Sequence, residues 1–167
     1  MKNCKTMLSI FAACLVLTIF SISVLPVQAA TKLPKFALKS VQDGSVVKSS
    51  AFAGKVLYIT FFATWCPPCK EEVPVLIDLQ KKLAESGFTV IGFSVDQKGM
   101  DRVRSFVKAK DINYPVLMAD LQTNMDFGGV YTIPASFLVN RSGNVVKSYI
   151  GYVEHSVLEK DINSLLN

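Results

Sequence analysis

Hydrophobic positions along this chain fall into one long uncharged block, several short runs and three helical stripes. The block, Thr6 to Leu25, holds no charged residue. Further on, Val56 to Phe62 combines β-branched and aromatic residues without charge and predicts a strand buried on both faces. Next comes helical spacing: Val73, Leu76, Ile77, Leu79 and Leu83 fall on one side, Lys70, Glu71, Asp78, Lys81 and Lys82 mostly on the other. Pro74 interrupts that helix and predicts a kink near Lys70 or Glu71. Ser86-Gly87 ends it, and Phe88 to Val95 is a second apolar strand. Strand, helix and strand at this spacing make a βαβ unit, with its strands parallel and its crossover right-handed.

The remaining pattern is shorter in period. Phe36 to Leu38 and Val46 to Lys48 flank Gln42-Asp43-Gly44-Ser45, a hairpin with Asp-Gly in its turn. Asp96 to Gly99 predicts a loop, Asp101 to Lys110 a polar helix and Tyr114 to Met118 a short strand. Leu121 to Tyr131 predicts irregular or weakly helical structure broken at Gly128-Gly129. Ala135 to Val139 and Val145 to Ile150 form a hairpin around Asn140-Arg141-Ser142-Gly143-Asn144, and Ser156 to Leu166 is a closing helix.

The N-terminal block changes the domain count. Lys2 and Lys5 precede it, and Pro26-Val27-Gln28-Ala29-Ala30 closes it with small residues, the three-part layout of a secretory signal cleaved after Ala29 or Ala30. Retention as a membrane anchor is the alternative, since roughly 20 apolar residues span a bilayer. Lipidation at Cys14 through Phe11-Ala12-Ala13-Cys14 is a weaker third reading, because apolar sequence continues long afterwards. Each exports the domain, so residues 1–30 are read as signal or anchor and 31–167 as one domain. The net charge of +5 falls to +3 once Lys2 and Lys5 are set aside, and the remaining lysines are dispersed. No basic stripe interleaved with aromatics is present, so no nucleic-acid partner is expected.

Chemistry concentrates where the first strand meets the first helix. Cys66 and Cys69 stand two residues apart, and with Cys4 and Cys14 in the targeting segment they are the only cysteines of the exported domain. Residues three apart share a helix face, so the two sulfurs can bond and part reversibly. Cys66, at a helix N-terminus and the exposed end of a strand, is the expected nucleophile; Cys69, one turn in, is the resolving thiol. Pro67 and Pro68 suit a first turn but remove two N–H donors from beside Cys66, leaving Cys69 as the nearest helical amide. A zinc site would need four ligands, and His155 is the one histidine; it is read as a helix-start residue, and no metal is expected. A purely structural disulfide would close too short a loop to stabilise much.

The run FFATWCPPCKEEVP, Thr132-Ile133-Pro134 before an apolar strand, and the Asn-Arg-Ser-Gly-Asn hairpin resemble the thioredoxin-like thiol–disulfide oxidoreductases of the bacterial envelope, in particular the TlpA and ResA type. The resemblance spans Leu33 to Leu166. It implies an α/β thioredoxin fold, a mixed central sheet flanked by helices, with an added N-terminal β-hairpin and an inserted segment. The sheet strands would begin at Val56, Phe88, Tyr114, Ala135 and Val145. It further implies that Pro134 is cis and lies against the cysteine pair, that Ile133 offers backbone groups to an extended substrate with Trp65 and Pro67 beside it, and that Glu72 belongs to the site. Read without the resemblance, Glu72 is a first-turn acid favoured by the helix dipole.

The implied activity is dithiol–disulfide exchange with a protein disulfide, in the reducing direction, using the Cys66–Cys69 disulfide and no other cofactor. The CxxCH pair of an apocytochrome c is a natural substrate, and a membrane thiol reductant the electron donor. The domain would act in the periplasm or at the outer face of the cytoplasmic membrane. A disulfide-forming oxidase is the alternative. A peroxidase would need a PxxxTxxC loop, whose proline Ala63-Thr64-Trp65-Cys66 lacks; a copper carrier would prefer CxxxC with a distal histidine.

Overall fold

The structure, a computed structural model, describes residues 31–167; the signal or anchor segment lies outside the described residues. In chain order the strands are β1 (Thr31–Lys32), β2 (Ala37–Lys39), β3 (Val46–Lys48), β4 (Val56–Phe62), β5 (Phe88–Ser94), β6 (Val116–Met118), β7 (Ala135–Val139) and β8 (Asn144–Ile150). The helices are α1 (Pro67–Leu83), α2 (Met100–Ala109), α3 (Leu121–Asp126) and α4 (His155–Leu166). The main sheet runs β1-β8-β7-β4-β5-β6. β4 is parallel to β5, β5 to β6, and the β7–β8 hairpin joins antiparallel on the other side of β4. This is the mixed sheet of a thioredoxin fold, with α2, β6 and α3 between the βαβ unit and the hairpin. β2 and β3 pair separately and tie to β6 through a bridge between Ser40 and Leu117.

All seven residues of β4 are buried, and alternate ones serve two different cores. Val56, Tyr58 and Phe62 join Val73, Leu76 and Leu79 of α1 and Leu158 and Ile162 of α4. Leu57, Ile59 and Phe61 join Phe36, Leu38 and Phe52 of the N-terminal segment. Each such side chain contributes about 1.5–3 kcal/mol by leaving water. On the second face Phe61, Phe93 and Phe127 meet edge-on with ring centroids 5.2–5.6 Å apart. Edge contacts of this kind add about 0.5–1.5 kcal/mol beyond burial. They fasten the chain before Ile133 to the strand that leads into Cys66.

Several elements differ from the sequence expectation. β1, two residues long, extends the sheet edge by pairing Thr31 with Val145 and Lys32 with Asn144. α1, by contrast, carries Pro74 inside it as the helical spacing expected, and its first turn is closed by Lys70 N–H donating to the Cys66 carbonyl at 3.2 Å. Leu121–Asp126 is a defined helix because Asp120 caps it, its carboxylate accepting from Thr123 N–H at 2.7 Å. The third sheet strand begins at Val116 rather than Tyr114, and the closing helix already at His155.

Candidate active site

Where β4 ends, Thr64 and Trp65 turn the chain and Cys66 caps α1 from an extended conformation (φ −85°, ψ 113°). Pro67 and Pro68 take the first two helical positions, where their missing N–H groups leave no helical bond unmade. The first amide free to turn back is that of Cys69, which donates to Cys66 Sγ at 3.3 Å. The two sulfurs are joined in a disulfide with the Cα atoms 5.3 Å apart.

Cys66 is not at an exposed position as the sequence suggested: both cysteines are 3% exposed. The reason is the loop before β7. Ile133's carbonyl oxygen lies 3.9 Å from Cys66 Sγ, and buried Pro134 follows it. The Ile133–Pro134 peptide is cis, and the Pro134 carbonyl accepts from Gly151 N–H at 2.8 Å, which fixes the loop to the end of β8. Trp65, 57% exposed, and Pro67 remain at the rim. Tyr131, Ile150 and Tyr152 add exposed apolar surface on the loop and at the end of β8.

Beneath the helix, Glu72 is 1% exposed. It falls one turn after Cys69 and turns inward onto the sheet, not outward as a dipole-favoured surface acid would. Tyr58 Oη donates to its Oε1 at 3.0 Å and Thr60 Oγ1 to its Oε2 at 3.5 Å. Ser136 Oγ in turn donates to Thr60 Oγ1 at 2.9 Å. Tyr58 and Thr60 occupy the same face of β4 by the period-two rule, so helix and strand register together build this polar pocket. Burial pushes the Glu72 carboxyl up to about 7, against the opposing hydrogen bonds from Tyr58, Thr60 and the Val153 backbone. Burial, reinforced by the Glu72 charge, likewise raises the Tyr58 and Tyr114 hydroxyls above the usual phenol range.

A second carboxylate was not picked out from the sequence. Asp96, 6% exposed, follows β5 and holds the turn that precedes Cys66. Thr64 donates to it twice, from N–H to Oδ2 at 2.8 Å and from Oγ1 to Oδ1 at 2.6 Å. Ser94 Oγ also donates to Oδ2 at 3.0 Å, and Arg102 Nε reaches Thr64 Oγ1 at 3.1 Å. Sequence pattern placed Asp96 in a loop. The available signal was topological: β4 and β5 are parallel neighbours, so the residues just past their carboxyl ends meet at the crevice where such sheets carry their sites.

His155 Nε2 sits 3.7 Å from Asp78 and 4.0 Å from Glu159, on the outer side of α1 and α4. Among the described residues no group of three or more His, Cys, Asp or Glu gathers that could hold a metal ion. What the site can do is make and break one disulfide at a helix N-terminus, with a buried carboxyl able to take or give a proton near neutral pH.

The comparisons agree with that chemistry. The family model described as Redoxin matches residues 28–166. The chain is 30% identical over 132 residues to the thiol–disulfide oxidoreductase ResA of Bacillus thuringiensis strain Al Hakam, covering 79% of this chain and 75% of that one. It is 29% identical over 130 residues to ResA of Bacillus subtilis strain 168, covering 78% and 72%. The crystal structure of a thiol:disulfide interchange protein from Chlorobium tepidum TLS superposes with a TM-score of 0.76 at 34% identity, covering 83% of this chain and 97% of that one. This chain therefore belongs to the redoxin family, as a thiol–disulfide oxidoreductase of the ResA and TlpA type that works through a cysteine pair.

Proposed function

We propose that the protein is a reductant of protein disulfides outside the cytoplasm. The observation that carries the direction is the poverty of thiolate support at Cys66. Its sulfur receives one backbone donor, the Cys69 N–H, because prolines occupy the two positions before it. Strong oxidants stabilise the reduced form, chiefly through a depressed pKa of the attacking thiol. Here Glu72, one turn further on, sets a carboxyl beneath the same helix end and opposes a second negative charge.

In the proposed cycle the Cys66 thiolate attacks one sulfur of a substrate disulfide. A Cys66–substrate bond forms, and the departing substrate thiolate takes up a proton. The Cys69 thiol then gives its proton to the Glu72 carboxylate and attacks Cys66 Sγ. The Cys66–Cys69 disulfide closes and the second substrate sulfur leaves. Two electrons have passed to the substrate, and a membrane thiol reductant must return two to reopen the pair. Ile133 and Pro134 lie where an extended substrate segment would approach Cys66, and exposed Trp65 and Pro67 flank that approach. The oxidised CxxCH pair of an apocytochrome c, delivered for haem attachment, fits such a substrate. Export is supported by the charge, apolar and small-residue layout of residues 1–30.

Equilibration of the protein against a dithiol buffer tests the direction. The expected midpoint lies nearer the roughly −270 mV of thioredoxin than the roughly −120 mV of a dedicated oxidase. A midpoint close to the oxidase value would reverse the assignment. Trapping of mixed disulfides by Cys69→Ala in the native envelope then identifies the substrate, and recovery of no c-type apocytochrome would remove that part of the reading.

A further inference from the structure

At the pole of the sheet opposite the cysteines, a cleft of about 660 Å³ opens between the N-terminal segment, the start of β4 and the β7–β8 turn. Five cations line it, Lys32, Lys35, Lys48, Lys55 and Arg141, and no carboxylate does. Elsewhere among the described residues Lys82 pairs with Asp78, Arg104 with Asp101 and Lys147 with Asp161, while the other cations stand dispersed and unpaired; what sets the cleft apart is that its cations are gathered with no carboxylate among them. Among the described residues none of the five cleft cations has such a partner. Lys32 donates only to the Ser142 carbonyl at 3.0 Å. Arg141 is fastened to the carbonyls of Gly54, Ser86 and Leu166 at 2.9–3.5 Å. Those bonds position the two side chains without neutralising them, so a domain of modest net charge carries a concentrated positive field at one end.

We propose that this cleft docks the domain on an anionic phospholipid surface. The ligand chemistry is a phosphate-bearing headgroup, which ammonium and guanidinium groups attract in an open cleft. Retention of residues 1–30 as an anchor, on which this choice rests, selects a membrane over a soluble phosphate. Lys32 and Leu33 line the cleft directly after residues 1–30, whose stretch Thr6 to Leu25 carries no charge. Leu33, Ala37 and Ala53 form an accessible apolar part of its lining, suited to the glycerol shoulder of a headgroup. Lys55 immediately precedes β4, whose far end leads to Cys66, so docking at this pole holds the disulfide on the order of 20 Å above the bilayer, facing outward. The proposal stands apart from the direction of thiol exchange.

Lysine footprinting of the full chain tests it. The protein is reconstituted in vesicles of phosphatidylcholine alone or mixed with phosphatidylglycerol and treated with an amine-acylating reagent. In the mixed vesicles Lys35, Lys48 and Lys55 are expected to react about fivefold more slowly than in phosphatidylcholine. Lys70 and Lys98, near the cysteine pole, keep their rates, and high salt abolishes the difference. The double variant Lys48→Glu with Lys55→Glu should lose the protection of Lys35 while still reducing and reoxidising normally with a small dithiol. Equal rates in both vesicles overturn the proposal, as does equal slowing in phosphatidylcholine, which would reflect tethering without headgroup recognition. Equivalent protection by millimolar inorganic phosphate without vesicles would assign the cleft to a soluble anion instead.

Discussion

The two faces of β4 are equally buried and chemically opposite. Leu57, Ile59 and Phe61 look onto phenylalanine rings and aliphatic side chains, with no polar group to satisfy. Tyr58 and Thr60 look onto Glu72, a carboxyl with its solvent removed. An apolar residue at position 72 would pack with Val73 and Leu76 at no desolvation penalty. The carboxyl is placed on the one face where α1 brings the cysteines over the sheet. Stability and chemistry have thus been divided between the two sides of a single strand.

Breaking the apolar face should have the largest effect. Phe93 contacts Phe36, Phe61 and Phe127 at 5.0–5.6 Å between ring centroids, so Phe93→Ala opens a cavity shared by three elements. The expected loss is about 3–5 kcal/mol, read by urea unfolding, with the redox midpoint little moved in the folded fraction. Phe93→Leu keeps the fold and should show the same separation at smaller scale. A midpoint that tracked stability in both variants would erase the distinction between the faces.

Replacing the carboxyl tests the other face, and its signature is pH dependence. The folded protein holds the Glu72 proton to about pH 7, while the unfolded chain releases it near 4.5. Between those values the folded state binds more protons, so stability contributed by the neutral carboxyl is complete below the lower value. It is lost as pH rises through the upper one, by about 3 kcal/mol in all. In Glu72→Gln this decline should vanish, and above neutral pH the variant should be the more stable protein. Parallel stability curves for parent and variant across that window would show that Glu72 is charged in the fold throughout.

Much of this division was legible beforehand, and the part that was not has a physical reason. The cysteine spacing, the βαβ order and both hairpins follow from local patterns that tertiary structure had no cause to override. The burial of Cys66 did not, because Ile133 and Pro134 come from a segment 67 residues away. Val56 to Phe62 carries no charge on either face and is mostly apolar on both, so no clear alternation reveals which residues meet Glu72. That required the register of α1 over β4. Phe127 stood in a glycine-flanked stretch whose period suggests a loop, and only the ring cluster shows it to be core. Two residues of β1 are too few to show any period.

Asp96→Asn probes the polar side one step from the disulfide. The amide retains one acceptor, but its NH₂ must face a donor that Asp96 now satisfies, either Thr64 or Ser94. The expected loss of stability is about 1–3 kcal/mol. Because Thr64 begins the turn into Cys66, alkylation of the reduced Cys66 should also change in rate, which Phe93→Leu should not produce. Loss of stability with unaltered thiol reactivity would reduce Asp96 to a loop anchor without influence on the cysteine.

The smallest change sharpens the comparison most, because it touches the polar face without removing its charge. Tyr58→Phe deletes the hydroxyl that donates to Glu72 Oε1 at 3.0 Å and leaves the ring's packing against α1 intact. That bond favours the ionised carboxyl and works against the desolvation that raises it. With the hydroxyl gone, the carboxyl keeps Thr60 and the Val153 backbone as partners and should hold its proton to higher pH. A hydrogen bond to a carboxylate contributes about 1.5–3 kcal/mol, of which the neutral acid retains part, so a net change near ~1 kcal/mol is expected. That corresponds to roughly 0.7 of a pH unit. The fall in stability with rising pH should therefore extend above 7 in Tyr58→Phe, and be absent in Tyr58→Phe combined with Glu72→Gln. The double variant separates the two contributions. If Tyr58→Phe shifted stability uniformly at every pH, its hydroxyl would be a packing partner alone, and the proton on Glu72 would be governed by burial without it.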